Sequence, residues 1–277
     1  MNKLLLLGDE AIAQGAIDAG LSGVFAYPGT PSTEITEYIQ DSKQAKELGI
    51  RSNWAANEKT AMEAALGMSY AGKRAMFCCK HVGINVAADP FMNSAITGAN
   101  GGLIYIAADD PSMHSSQDEQ DSRFYGDFAL IPVLEPSNQQ EAYDMVHYGF
   151  ELSEKFHVPV MMRITTRMAH SRAGVVRKEV VKNQNKINLP EKKNQFILLP
   201  VNARVQYREL LAKQEGLIAA SENDGFNKYF EGKDKSVGIV ACGISYNYLM
   251  ENFRDTECPY PVLKISQYPM PEKLLNK

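Results

Sequence analysis

The sequence lacks most of the features that identify a protein's chemistry at a glance. Tryptophan occurs once in 277 residues and cysteine four times, at Cys78, Cys79, Cys242 and Cys258. There is no C-x-x-C pair and no metal-type cysteine spacing, so free thiols in a reducing cytoplasm are expected. The five histidines, His81, His114, His147, His157 and His170, lie far apart with no i,i+4 pair, which argues against a structural metal set. Basic charge is not in excess. Against 29 Lys and Arg stand 33 Asp and Glu, a net charge of −4, so the electrostatic footprint of a nucleic-acid binder is missing. The Lys- and Arg-bearing stretches Arg177–Lys186 and Glu191–Lys193 read as solvated connectors. No apolar run approaches the length of a membrane span. The opening MNKLLLLGDEAIAQG offers only Leu4–Leu7 before Asp9 and Glu10, too short for a secretory signal, and reads as a buried strand entering a helix. G-x-G-x-x-G and the P-loop are also absent, which removes the two commonest glycine fingerprints for nucleotide phosphates.

What is present describes a globular protein with a sizeable core: 44% of residues are hydrophobic and 22% charged. The length admits one large domain or two of ordinary size. Short apolar runs at Leu4–Leu7, Gly23–Tyr27, Ala75–Cys79, Leu103–Ala108, Val133–Leu134 and Val158–Arg163 are bounded by Gly, Pro or Asp, as buried parallel strands are. Helical patterns separate them. Thr30 followed by Pro31 predicts an N-cap for a helix running to about Glu47. Asn57 predicts a cap for a helix from Glu58 with its stop at Gly72. Ser137 and Gln140 are spaced as a capping box for a helix over Asn138–Lys155. Alternating β and α elements imply an α/β fold, a mostly parallel sheet with helices on both faces, whose ligands gather beyond the carboxyl ends of the strands. Three loops should leave those ends: AYPGTPS, CKHVGINVAADP and AADDPSMHSSQDEQDSR, the last two unusually long. From about Gly174 to Lys235 the texture turns polar, and residues 176–235 read as a linker with one short strand in QFILLPVNA. Residues 236–277 resume with strand, glycine turn and helix in KSVGIVACGISYNYLMENF, then a second strand and the start of a helix. This reads as the beginning of a further α/β unit, too short to stand alone and resembling a truncated one. No internal repeat is apparent.

The candidate chemistry centres on RSNWAANEKTAME, residues 51–63. A glutamate at a helix start has a structural explanation, since its carboxylate complements the positive end of the helix dipole. The neighbours of Glu58 add a second one. Trp54, Ala55 and Ala56 give it a partly apolar setting, and the Ala- and Gly-rich helix behind it admits a close neighbour such as a flat ring. A carboxylate placed so is suited to share a proton. YPGT is equally a simple turn or a ligand loop, with Gly29 and the amides of residues 30–33 able to approach a polar group. His147 and His157 look ordinary, whereas His114 lies in a strand-end loop too polar to be core.

The segments YPGTPSTEI, NEKTAMEAALGMSYAGKRAM, KHVGINVAADPFMN, GGLIYIAADDPSMHSSQDEQDSR and IPVLEPSNQQEAYDMVHYGFELSEKFHVPVMMRITTRMAHSR together resemble the large (alpha) subunit family of the indolepyruvate:ferredoxin oxidoreductases. That family belongs to the thiamine-diphosphate-dependent 2-oxoacid:ferredoxin oxidoreductases. The resemblance covers residues 1–175 almost continuously. It implies that they form a thiamine-diphosphate pyrimidine-binding domain and that residues 236–277 begin a transketolase C-terminal-like domain. It further implies that Glu58 hydrogen-bonds N1′ of the cofactor's aminopyrimidine and promotes the tautomer that deprotonates the thiazolium. Tyr27, Pro28, Gly29 and Asn85 would then line the cofactor, with Thr30 and Arg123 for the 2-oxoacid carboxylate and His114, Lys80 and His81 lining the same pocket. No protein metal ligand is expected in this chain.

Three parts of the family pattern are missing: the G-D-G motif with its downstream asparagine that holds Mg²⁺ and the diphosphate, the cysteine runs of [4Fe–4S] clusters, and the rest of the second domain. The expectation is therefore part of a longer subunit. The parent enzyme would use thiamine diphosphate, Mg²⁺, [4Fe–4S] clusters, a small (beta) subunit, ferredoxin and coenzyme A to decarboxylate aryl-pyruvates, as a homodimer or heterotetramer. Two other readings stay open: a relative with a different 2-oxoacid substrate, and a stand-alone non-catalytic module that binds a partner.

Overall fold

Strands whose residues are apolar on both faces pair in the interior of a sheet, and this chain follows that rule. The computed structural model describes residues 3–192 and 194–277; Lys193, the end of one expected connector, lies outside the described residues, as do Met1 and Asn2. The strands are β1 (Lys3–Leu7), β2 (Gly23–Ala26), β3 (Arg51–Trp54), β4 (Ala75–Lys80), β5 (Leu103–Asp109), β6 (Val133–Leu134), β7 (Val160–Thr165), β8 (Arg172–Val176), β9 (Lys228–Phe230), β10 (Ile239–Cys242), β11 (Val262–Ile265) and β12 (Gln267–Tyr268). The first six helices are α1 (Gly8–Asp18), α2 (Thr33–Asp41), α3 (Lys43–Glu47), α4 (Glu58–Tyr70), α5 (His81–Val86) and α6 (Ala88–Thr97). They are followed by α7 (Arg123–Ala129), α8 (Gln139–Phe156), α9 (Thr166–His170), α10 (Pro200–Asn223), α11 (Ser245–Glu251) and α12 (Glu272–Leu275).

The main sheet has the order β12-β6-β7-β5-β4-β2-β3, parallel throughout except for β12, which runs antiparallel to β6. Strands β4, β5 and β7 are buried along their whole length. Successive side chains serve opposite faces. Met76 and Cys78 pack with Ile12, Ile35 and Met145 on one side, while Ala75, Phe77 and Cys79 pack with Met62, Phe91 and Leu210 on the other. Each large apolar side chain so enclosed contributes about 1.5–3 kcal/mol, enough to make these three strands the spine of the domain.

Several expectations need correction. Leu4–Leu7 is not a buried parallel strand: β1 pairs antiparallel with β8 in a separate two-stranded sheet, and Leu5 is 70% exposed. Thr30 is not an N-cap, because α2 begins at Thr33 behind Ser32. The helix also ends at Asp41, and the Ser42 hydroxyl, accepting from the Ala45 amide, caps a new short one. Ser137 and Gln140 form no capping box: the N-cap is Asn138, accepting from the Glu141 amide, and the Glu141 carboxylate accepts from the Ser137 amide and hydroxyl. CKHVGINVAADP is not a long loop but the helices α5 and α6. The span 176–235 is no simple linker. QFILLPVNA forms turns and the first residues of the 24-residue α10, whose Leu210 and Leu217 are buried, and the short strand in that span is β9 instead. Strands β10 and β11 pair in parallel. Strand β9 joins β11, so this three-stranded sheet reaches back before residue 236, and the strand that follows it, β12, pairs in the main sheet.

Candidate functional site

The chain leaves β2 outward to β3, then crosses back over β2 to β4. That reversal opens a crevice at the carboxyl ends of β2 and β4, the usual place for ligands in open α/β sheets. Glu58, Gly29, Lys80 and His81 all stand at these strand ends.

Asn57 caps α4 as predicted, its Oδ1 accepting from the Thr60 amide at 3.0 Å, and the next residue is Glu58. Lys59 is paired with Asp89 at 3.1 Å. The half-buried carboxylate of Glu58, by contrast, has no hydrogen bond or ion pair among the described residues, leaving its lone pairs to accept from a ligand N–H. Gly83 of α5 makes room for it: a Cβ there would come within 2.8 Å of Glu58 Cγ, 2.9 Å of its Oε1 and 2.9 Å of Cys79 Cβ. Burial, then the Glu58 charge, push the Cys79 thiol well above its ordinary pKa. Cys79 is therefore a neutral wall of the site and no nucleophile.

The YPGT turn is closed on itself. Thr33 Oγ1 accepts the Gly29 amide at 2.9 Å, and the Gly29 carbonyl accepts the Ser32 amide and hydroxyl at 2.9 and 2.8 Å. The Gly29 amide is thus occupied rather than aimed at a ligand, while Tyr27, Pro28 and Thr30 are exposed. A Cβ on Gly29 would touch Lys80 Cβ at 3.2 Å, so this glycine lets the turn lie over Lys80. Lys80 is 8% exposed; its ammonium donates to the Ser115 carbonyl at 2.5 Å and meets no carboxylate among the described residues. Next to it, fully buried His81 holds Asp118 through Nε2, at 3.1 Å from the carbonyl and 3.2 Å from Oδ1, and its Nδ1 is buried without a partner. Lys80 and His81 together fasten the 110–122 loop to the strand ends. Asp110 secures the loop's start. Burial opposes its ionisation, but hydrogen bonds from the Ser116 hydroxyl, the Ser115 amide, the Thr166 hydroxyl and the His114 amide outweigh it and lower its pKa to about 2. The His114 side chain stays exposed, and Asn85 accepts a hydrogen bond from Tyr125.

Arg123 belongs to a different assembly. Its Nε donates to Asp121 at 2.8 and 3.1 Å, and its Nη1 reaches Tyr268 Oη at 3.2 Å and Glu135 at 3.4 Å. Glu135 also binds Arg163 at 2.5 Å, and Arg163 donates to Asp109 at 2.7 Å. This guanidinium is already occupied by carboxylates. Sequence reasoning singled out Glu58 and the loops but missed Cys79, Gly83, Ser115 and Asp118, together with the Asp109–Arg163–Glu135 cluster. Gly83, midway between the expected site residues His81 and Asn85, was the one available signal.

Fold and crevice define a ligand-binding domain of the open α/β class. Residues 14–215 match the model of the family described as pyruvate flavodoxin/ferredoxin oxidoreductase, thiamine diphosphate-binding, and the chain belongs to that family. It is similar to the protein named indolepyruvate oxidoreductase subunit IorA from Archaeoglobus fulgidus, 45% identical over 279 residues that cover 99% of this chain and 44% of that protein. The protein of the same name from Pyrococcus horikoshii is 44% identical over 283 residues, covering 99% and 43%. The chain thus spans less than half the length of these curated relatives. Among solved structures, 2-oxoglutarate:ferredoxin oxidoreductase from Magnetococcus marinus superposes with a TM-score of 0.75 over 97% of this chain and 55% of that one, at 19% identity, which supports the fold.

Proposed function

We propose that this chain supplies the aminopyrimidine half of a thiamine-diphosphate site in an oxidoreductase complex acting on aryl-pyruvates such as indolepyruvate. The observation that carries the reading is the unpaired Glu58 carboxylate, seated against Gly83 at the strand-end crevice of a thiamine-diphosphate-binding family member. Similarity along nearly the whole chain to subunits named for indolepyruvate favours that substrate class over 2-oxoglutarate. A 2-oxoglutarate synthase subunit KorA from Methanocaldococcus jannaschii is only 28% identical, over 64% of the chain.

When bound, thiamine diphosphate supplies the carbanion chemistry by which 2-oxoacids lose CO₂. Glu58 holds the proton at N1′ of the aminopyrimidine, and Gly83 and Cys79 fix the position of its carboxylate. Tyr27, Pro28, Gly29 and Asn85 border the ring. Lys80 is an enclosed cation without a counter-ion among the described residues, so it is our choice, with Thr30, for the substrate carboxylate. Arg123, occupied by Asp121 and Glu135, instead holds α7 to the strand ends; His114 belongs to the 110–122 loop, and His81 anchors that loop through Asp118. The overall reaction converts the 2-oxoacid anion and coenzyme A to acyl-CoA, CO₂ and one proton while two ferredoxins each take one electron. Mg²⁺ and the diphosphate would be held by a second domain, and the [4Fe–4S] clusters would lie outside this segment. A small subunit pairs with this one to complete the complex, a heterotetramer working in the cytoplasm.

The test uses the full-length subunit with its small partner. Indolepyruvate should reduce a low-potential one-electron dye anaerobically, and only with thiamine diphosphate, Mg²⁺ and coenzyme A present. Glu58→Gln should lower that rate by about 10²–10⁴-fold. Wild-type rates in the variant would remove Glu58 from the reaction.

A further inference from the structure

Helices α1, α2 and α9 pack on the face of the sheet that Cys78 lines, away from Cys79 and Glu58. They bring together Asp9, Glu34 and His170, whose ligand-type atoms all lie within 4.8 Å of one another. His170 Nε2 is 3.5 Å from Glu34 Oε1. Asp9 is completely buried, yet neither of its carboxylate oxygens has a hydrogen-bond partner, and Glu34 Oε2 is buried and unpartnered too. An interior carboxylate without a hydrogen bond or a cation is costly, so such groups are normally paired or bound to metal. The site also has an approach from solvent: a surface cleft beside it is walled by Glu10, Glu34, Glu37 and Asp41, a concentration of negative charge that draws cations.

We propose that Asp9, Glu34 and His170 bind one divalent ion of the zinc class, with water completing its coordination. Two carboxylates alone would suit magnesium, but the imidazole tilts the set toward zinc. Ligand atoms sharing a zinc ion each lie at about 2.0–2.2 Å from it. Closing the 4.8 Å span falls to Glu34 and His170, the two members of the set with exposed surface. The ion fastens the segments that follow β1, β2 and β7, joining the small β1–β8 sheet to the main one.

The chain is freed of metal with a chelator and titrated with zinc chloride by calorimetry, with thermal unfolding followed in parallel. One zinc should bind per chain and raise the Tm by about 5 °C at a hundredfold excess over the dissociation constant, with a much smaller shift from magnesium. His170→Ala removes a partly exposed ligand without disturbing the core, and both it and Glu34→Gln should abolish the stoichiometric binding and the shift. No zinc binding by the wild type, or undiminished binding in His170→Ala, would overturn the assignment.

Discussion

Two groups of charged side chains stand at the same end of one sheet and are built on opposite rules. In the cluster at β5, β6 and β7, the Arg163 side chain is 10% exposed and binds two buried carboxylates, Asp109 and Glu135. Arg123, Asp121 and Tyr268 extend that network to the surface. In the crevice at β2 and β4, Glu58 and Lys80 are left without charged partners among the described residues. Saturated charges fix the position of strands and helices and have nothing left to offer a ligand. Unsaturated ones, held in place by glycines and loop contacts, keep that capacity. Charge alone therefore does not single out the candidate site; the state of its pairing does.

Removing one member of the saturated cluster should have the largest effect on stability. Arg163→Met strands Asp109 and Glu135 in the interior and should destabilise the chain by about 3–5 kcal/mol in urea unfolding. A loss below about 1 kcal/mol would show that the cluster is hydrated and the contrast with the crevice false. Gly83→Ala comes next. Its new Cβ displaces Glu58 or Cys79, with a loss of about 1–3 kcal/mol and weaker thiamine-diphosphate affinity in the assembled complex. Unchanged affinity would separate Gly83 from the site.

A third effect lies outside both regions and calibrates them. His147 is 9% exposed, with Nε2 unpartnered, and burial followed by the Lys178 charge lowers its pKa to about 4. The unfolded chain takes up a proton at this residue near pH 6.5, the folded chain only near 4, so stability falls as pH drops through that window. The loss is on the order of 1–2 kcal/mol after allowance for solvent screening. His147→Phe should flatten the slope; identical curves for the two proteins would place the pH dependence elsewhere. The smallest effect belongs to Glu58→Gln. An unpaired, half-buried carboxylate contributes little to folding, so its unfolding midpoint should correspond to a change within about 0.5 kcal/mol. A large loss would mean that Glu58 is structural after all.

The central strands were legible because burial on both faces leaves continuous apolar runs such as AMFCC and LIYIAA. The edges were not. Strand β3, Arg-Ser-Asn-Trp, has too little apolar character to stand out, and Leu4–Leu7 has too much for a strand whose Leu5 faces solvent. Helix α10 was hidden because its apolar residues do not keep to one face: Leu210, Leu217 and Ala220 are buried, while Val201, Val205, Tyr207 and Leu211 are exposed. At the site, Glu58 and its cap follow from local pattern. Arg123 illustrates the opposite case: its type suits a carboxylate ligand, but Glu135 and Tyr268, which help to occupy it, are distant in sequence and invisible to any local reading.

The return of β12 to the main sheet has a consequence for how the protein is made. Strand β6 is two residues long, and its free edge is covered by Gln267 and Tyr268, with the Glu135 amide donating to Ser266 at 2.7 Å. On the ribosome, residues 133–135 emerge long before these partners exist. Contacts so far apart in sequence form late, since a large loop must first be closed. The nascent chain thus carries an open sheet edge while residues 136–266 are made, and an unpaired edge is a template for association with other chains. That interval, more than the finished fold, is when the protein is exposed to aggregation and when a chaperone would matter most.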